Sequence, residues 1–410
     1  MQILFIHPNY PAQFGPMLQR LSKRDDVDCV FVTKNVSGIR DGVRCIKYET
    51  KGGATKDTHY CSRTFENAVW HAHGVYETCE TQADLKPDLI VGHSGFGTTV
   101  FLSELYESPI INLFEFYYRP HGSDLDFRPD FPTQKINYLR SHTRNAMILL
   151  DLETCAAGYA PTAWQWSLLP DLWQPKVEVI HDGIDMNFWR RRDIARRIGN
   201  EDIPENTRIV TYVSRGLESM RGFDIFVRVA NRIAAEMPNV LFVVVGADKT
   251  HYGNDLNHIQ AKTFREHVLL KEKPDLSRFR FLGVISREQL ADIFSLSDLH
   301  IFLTVPFVLS WSVLNAMACE CVIVGSDTPP VLEVIRDGDN GLLANFFDVD
   351  GLAAHALRVL KAPQDYRALG ERARALIQER YSLDVTFPKM WSLFKRALAA
   401  PPASKNFSSQ

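Results

Sequence analysis

No run in this 410-residue sequence comes near the roughly 20 consecutive apolar residues that a membrane-spanning helix requires. The longest apolar runs, such as Val240–Val245, fall far short of it. The seven cysteines include no C-x-x-C pair, and Cys319 and Cys321 stand too close for a usual zinc pair. They read as reduced thiols of a cytosolic protein. Neither sign of charge dominates: a net charge of −3 gives no general reason to expect a nucleic-acid partner. The start, M-Q-I-L-F-I-H-P, has no basic n-region and its apolar run meets a proline, so it reads as a first strand rather than a signal peptide. What is present, 45% apolar and 23% charged residues, is the composition of a soluble globular chain, and the length suggests two domains.

The first half alternates strand and helix. Gln2–Ile6 is a β-rich run, Gln13–Lys23 repeats Phe14, Met17, Leu18 and Leu21 at helical spacing, and Val27–Thr33 is a second strand. Strand, helix, strand in this order implies a right-handed crossover and a parallel sheet. The loop 7–15, from His7 to Gly15, is long for such a turn and rich in polar tips. A long helix is expected over Cys61–Asp84. It carries His71 and His73, two apart and therefore on different faces, which argues against a metal pair. Strands over Pro87–Gly92 and Pro109–Phe114 end in the loops His93–Thr99 and Glu115–Gly122. The glycines of the former permit close backbone approach to a ligand. The latter interleaves aromatics with Glu, Arg and His, a pattern suited either to stacking on a sugar or to a packed loop with an ion pair. Met147–Leu152 reads as a strand, Pro161–Ser167 as a short helix and Lys176–His181 as a last strand. The basic run Trp189–Arg197 reads as a solvated helix face at the domain junction. Contact of that cluster with an acidic membrane surface is the minor alternative.

The second half repeats the alternation. Strands are expected at Arg208–Val213, Asn239–Val245, Phe279–Leu282, His300–Leu303, Val322–Val324 and Gly341–Ala344. Helices are expected at Phe223–Glu236, Val349–Lys361, Gln364–Arg380 and Val385–Ala399, with a capping-box pattern opening another at Ser286. The stretch Pro306–Met317 joins a strand to a helix that Ser310 or Ser312 can cap, leaving free N–H groups suited to a phosphate. Arg215 and Arg221 stand either side of a turn between Gly216 and Gly222, and paired guanidiniums can neutralise a diphosphate. The fold class expected is therefore α/β, two facing doubly wound parallel-sheet domains. Ligands in such sheets lie beyond the carboxyl ends of the strands, here in a cleft between the domains. The division is 1–188, 189–384, a helix 385–400 crossing back to the first domain, and a disordered tail 401–410. The D-x-D triplets Asp124–Asp126 and Asp348–Asp350 read as turn or cap residues.

Five segments taken together, V-I-H-D-G-I-D-M-N-F-W (179–189), S-R-G-L-E-S-M-R-G-F (214–223), F-L-G-V-I-S (281–286), S-V-L-N-A-M-A-C (312–319) and S-D-T-P-P-V-L-E-V-I-R-D-G-D-N-G-L-L (326–343), give the chain its family likeness. It resembles the retaining glycosyltransferases of family four, with the GT-B fold. The likeness spans nearly all of the second half. In the first half it is limited to the first loop and the His93 loop.

The resemblance implies a nucleoside diphosphate-sugar donor, a glycan, lipid-linked or small-molecule acceptor, and transfer to a hydroxyl with retention of configuration. It implies no metal and no further cofactor. Arg215 and Arg221 would hold the diphosphate, Arg221 replacing the usual Lys, and His93 would face the donor sugar. Gly15, Gly216, Glu218, Ser310, Trp311, Ser312, Asn315 and Glu333 complete the donor side, with Val284 and Ile285 receiving the base. His7, Phe14, Phe96, Glu115, Tyr117 and Tyr118 form the acceptor side. The chain departs from the family at both positions of its Glu-x7-Glu motif, which are Phe307 and Asn315 here. That departure supports a rival, a catalytically silent GT-B subunit assisting a partner enzyme. An epimerase on the same fold needs a carboxylate pair that the matched motifs lack. The expected location is cytoplasmic, with peripheral contact at the inner face of a membrane and the oligomeric state left open.

Overall fold

A computed structural model describes residues 1–400 of the protein; the tail 401–410, read above as disordered, lies outside the described residues. The chain forms two compact units. The first comprises residues 1–121, 134–183 and the helix from Leu383; the second comprises 122–133 and 184–382. The junction thus falls after Gly183 rather than after residue 188, because Ile184, Met186 and Trp189 are buried in the second unit's core.

The first unit contains strands β1 (Gln2–Ile6), β2 (Asp28–Thr33), β3 (Gly38–Arg40), β4 (Val43–Lys47), β5 (Leu89–His93), β6 (Ile110–Leu113), β7 (Ala157–Ala160) and β8 (Val177–Val179). Its helices are α1 (Gly15–Leu21), α2 (Arg63–Glu80), α3 (Lys135–Arg144), α4 (Ala146–Thr154) and α5 (Ala163–Ser167). The sheet order is β3-β4-β2-β1-β5-β6-β7-β8, parallel except for the edge strand β3. Alternation along β1 explains the layering. Ile3 and Phe5 pack on one face with Met17 and Leu18 of α1 and with Met390 and Phe394 of the C-terminal helix. Leu4 and Ile6 pack on the other with Val75 of α2 and Ile148 and Leu152 of α4. Strands covered on both faces are apolar throughout, as parallel sheets require.

The second unit contains β11 (Arg208–Gly216), β12 (Val240–Ala247), β13 (Phe279–Gly283), β14 (Leu299–Phe302), β15 (Ile323–Ser326) and β16 (Leu342–Ala344), after a short hairpin of β9 (Arg197–Ile198) and β10 (Glu201–Asp202). Its sheet runs β13-β12-β11-β14-β15-β16, parallel throughout. Helices α6 (Phe223–Glu236), α7 (Phe264–Glu272), α8 (Arg287–Leu296), α9 (Trp311–Ala318), α10 (Pro329–Leu332), α11 (Val349–Lys361) and α12 (Pro363–Leu376) surround it, and α13 (Leu383–Ala399) returns to the first unit. Residues 122–133 lie between β6 and α3 in sequence yet fold with the second unit, where Phe127 packs on Phe346 and Phe347 and Phe131 on Phe264.

Three local expectations are corrected. Met147–Leu152 belongs to helix α4, not to a strand. A short apolar run fits either period, and the buried set Met147, Ile148, Asp151 and Leu152 has helical spacing. The strand beside it is Ala157–Ala160, where Gly158 is required because a Cβ would sit 2.4 Å from the Phe114 ring. The basic run 189–197 is largely exposed, as expected, but it is not a helix, and it is anchored at one end by buried Trp189 and by Arg192, which pairs with Asp292 at 2.8 Å. Helix α7, capped by Thr263, has no counterpart in the sequence reading. The seven cysteines are buried free thiols. Among the described residues no helix is long and apolar enough to cross a membrane.

Candidate functional site

The second unit's site is built at the carboxyl ends of its strands. Arg215 lies one residue before the end of β11 and is exposed; Arg221 ends the short turn Ser219–Arg221 before α6 and is 5% exposed. One ring joins them: the guanidiniums of Arg215 and Arg221 lie 5.7 and 5.5 Å from the Tyr252 ring centroid, and Arg215 Nη1 donates to Tyr252 Oη at 3.1 Å. Arg221 Nη1 donates to Thr304 Oγ1 at 2.7 Å and to the Val308 carbonyl at 3.2 Å, and Phe307 covers it at 5.8 Å. These hydrogen-bond partners are uncharged, and the buried Glu218 carboxylate acts on Arg221 through space rather than by a direct bond.

Glu218, entirely buried, sits behind this pair. Its Oε2 accepts from the backbone N–H of His251 and Tyr252, both at 2.9 Å. Burial raises its pKa against those bonds. Its Oε2 lies under the 251–253 loop, and its buried Oε1 has no hydrogen-bond partner among the described residues. Gly216 is needed beside this loop, because a Cβ there would stand 2.2 Å from the Lys249 carbonyl.

Helix α9 begins at Ser310, whose hydroxyl accepts from Ser312 N–H at 3.2 Å. Trp311 and Ser312 are half-buried in its first turn, and Asn315 is 6% exposed with an Oδ1 that has no hydrogen-bond partner among the described residues. Phe307 lies against Tyr252, with ring centroids 5.2 Å apart. Val284 is 80% exposed, Ile285 packs on the core and Glu333 follows α10, half-buried. The capping box at Ser286 and Gln289 is formed.

The first unit gathers a second cluster at its own strand ends. His7 and His93 stack at 5.1 Å, and Phe96 meets each edge-on at 5.0 Å, with Phe14 beyond His7. His93 Nε2 lies 3.5 Å from Glu115 Oε2, and Gln13 Nε2 donates to Glu115 Oε1 at 3.0 Å. Burial lowers both histidines to a pKa of about 3, for His7 with help from His93. Both are neutral near pH 7 and offer hydrogen bonds rather than charge. Gly15 is half-buried at the start of α1. Tyr117 and Tyr118 pack on the core and carry Arg119 and Arg144 on their ring faces, at 5.2 and 3.5 Å.

Sequence reading missed the groups that hold these clusters in place. Asp151, fully buried on α4, accepts from Gly95 N–H at 2.8 Å, Ser94 Oγ at 3.0 Å and Thr99 Oγ1 at 3.3 Å, which fixes the His93 loop. Tyr252 and Thr304 were missed too; a ring or hydroxyl just past a strand end was the available signal. Among the described residues no three His, Cys, Asp or Glu side chains converge as a metal site needs. Asp126 accepts from Gly122 N–H at 3.0 Å and Asp348 caps α11.

Two family models match: the glycosyl transferase family 4 group over residues 25–189 and glycosyl transferases group 1 over 193–376. The chain is 26% identical over 205 residues to an N-acetyl-alpha-D-glucosaminyl L-malate synthase of Bacillus anthracis, covering 50% of each chain. It is 27% identical over 223 residues to a D-inositol 3-phosphate glycosyltransferase of Mycobacterium avium, covering 54% of this chain and 50% of that one. The match thus spans about half the length of these curated relatives. Among solved structures it is similar to a sucrose-phosphate synthase of Thermosynechococcus elongatus (TM-score 0.75, 16% identity, 98% of this chain and 100% of that one). It is also similar to Anabaena Alr3699/HepE in complex with UDP and glucose (TM-score 0.70, 14% identity, 97% and 100%).

Proposed function

The chain belongs to the family four glycosyltransferases of GT-B fold, and on that premise we propose that it moves a sugar from a nucleoside diphosphate donor to an acceptor hydroxyl with retention of configuration. The observation that carries the reading is Arg215 and Arg221 gathered on the Tyr252 ring, with Arg221 hydrogen-bonded by neutral groups only.

In the proposed reaction the bond from the anomeric carbon to the departing diphosphate breaks and the acceptor oxygen bonds to the same face. The acceptor proton passes to a phosphate oxygen, so no protein nucleophile is required. Charge grows on the departing diphosphate, and fixed donors aimed at growing charge lower the barrier. Arg215, Arg221 and the N–H groups opening α9 serve that role without a metal. Asn315, whose buried amide oxygen has no hydrogen-bond partner among the described residues, suits a ribose hydroxyl. Neutral His93, with Glu115 beside it, would orient sugar or acceptor hydroxyls. The UDP held by the Anabaena protein supports a uridine nucleotide as the first to try. Glycan, glycolipid or polysaccharide synthesis is the setting this chemistry fits, in the cytoplasm or at a membrane's inner face.

A thermal-shift panel of UDP, GDP and their sugars tests the reading; stabilisation by at least one nucleotide is expected. Phe307 and Asn315 in place of two glutamates favour a second reading, a silent subunit supporting a partner glycosyltransferase. Nucleotide binding without donor turnover would select it. No shift with any nucleotide would leave neither catalysis nor donor capture standing.

A further inference from the structure

Residues 122–133 fold with the second unit although their neighbours in sequence belong to the first, and Arg128 is their main anchor. Its guanidinium is 5% exposed. It donates to Asp130 through Nε at 2.9 Å and Nη2 at 2.6 Å, and to Asp224 through Nη1 at 3.2 Å and Nη2 at 2.8 Å. The rings of Phe131, Phe346 and Phe347 surround it at 5.0, 5.2 and 5.8 Å. One bond goes elsewhere: Nη1 donates to the Ser219 carbonyl at 2.9 Å. Ser219 opens the three-residue turn that ends in Arg221.

Besides Val305 N–H, which donates to the Met220 carbonyl at 3.0 Å, three contacts hold that turn. Asp255 accepts from Ser219 N–H at 2.9 Å, Tyr212 Oη donates to the Arg221 carbonyl at 2.7 Å, and Arg128 takes the Ser219 carbonyl. A role confined to neutralising Asp224 does not explain the third contact. Arg228 already donates to Asp224 Oδ2 at 2.6 Å, so that carboxylate keeps a cation without Arg128. Without Arg128 the Ser219 carbonyl would be left with the turn's own bond from Gly222 N–H. A charge-assisted bond from a preorganised guanidinium is the stronger constraint.

We propose that Arg128 is a positioning residue for diphosphate binding: by fixing the Ser219–Arg221 turn it holds the Arg221 guanidinium on Thr304 and Val308, where it meets the phosphates. The inference rests on the reading that Arg221 binds a nucleoside diphosphate. Positioning residues of this kind matter because a misplacement of about 1 Å is enough to lose most of a polar contact's value.

The test is a double-mutant cycle. UDP and GDP are titrated calorimetrically into the full chain as wild type, Arg128→Met, Arg221→Met and the pair, with urea unfolding of each measured separately. Arg128→Met is expected to weaken binding about tenfold in the wild-type background and hardly at all once Arg221 is gone, the non-additivity of residues acting as one unit. Arg128→Lys keeps a cation for Asp224 but lacks the fork needed to reach Ser219 as well. It is expected to lose affinity while retaining stability, and it decides the question if the Met variant does not fold. Wild-type affinity in Arg128→Lys, or equal losses in both backgrounds, overturns the inference and leaves the functional reading intact. A wild-type chain that binds neither nucleotide overturns both.

Discussion

Lowering the pH from 7 to 5 should destabilise the first unit by about 7 kcal/mol and the second by about 2, reckoned at 1.36 kcal/mol per pKa unit. Burial lowers His7, His93 and His300 to a pKa of about 3 and His71 and His181 to about 4, from 6.5. Below pH 6.5 the unfolded chain therefore takes up protons that the folded chain refuses, and stability falls with pH down to those lowered values. pH 5 lies about 1.5 below the unfolded pKa of each, roughly 2 kcal/mol apiece. His7, His71, His93 and His181 are in the first unit and His300 is in the second. Asp151 works in the opposite sense. Burial raises its carboxyl to about 6 despite bonds from Gly95, Ser94 and Thr99. The folded state thus protonates first on acidification, recovering about 1 kcal/mol between pH 7 and 5. Urea unfolding at pH 7, 6 and 5, read by limited proteolysis with mass spectrometry, reports each unit from its own peptides. A first unit as stable at pH 5 as at pH 7 would refute the reasoning.

Gly216→Ala should destabilise the second unit by about 1–3 kcal/mol, the usual range for overpacking, because its Cβ would stand 2.2 Å from the Lys249 carbonyl. Nucleotide affinity should fall with it, since the 251–253 loop carries the ring between the arginines; urea unfolding and calorimetry measure the two losses. Asn315→Glu should tighten UDP binding by up to about tenfold, a charged acceptor being roughly twice as strong as a neutral one. Unchanged affinity would remove Asn315 from the ribose contact.

Much of this was legible from residue order. The apolar runs of β1, β5 and β12, the cap at Ser310 and the capping box at Ser286 are local patterns, and each is formed as read. Arg215 and Arg221 were legible because they flank one turn. The supporting groups were not. Asp151 reaches Gly95 across 56 positions and Arg128 reaches Asp224 across 96. Neither pairing has a local period or spacing, and a buried carboxyl or guanidinium looks in sequence like any surface charge. Met147–Leu152 misled for a different reason: six residues are too few for periodicity to separate a helix from a strand.

In the proposed reaction two guanidiniums gathered on Tyr252 stabilise the departing diphosphate, and donor turnover in Arg215→Ala is the decisive test of that role. Arg215 is exposed and bonded to a single tyrosine hydroxyl among the contacts described, so its removal should leave urea stability within about 0.5 kcal/mol. The wild type is expected to hydrolyse a nucleoside diphosphate-sugar measurably. In the variant the expected loss is about a hundredfold, the scale of one transition-state charge contact. Turnover that survives Arg215→Ala unchanged would contradict that role.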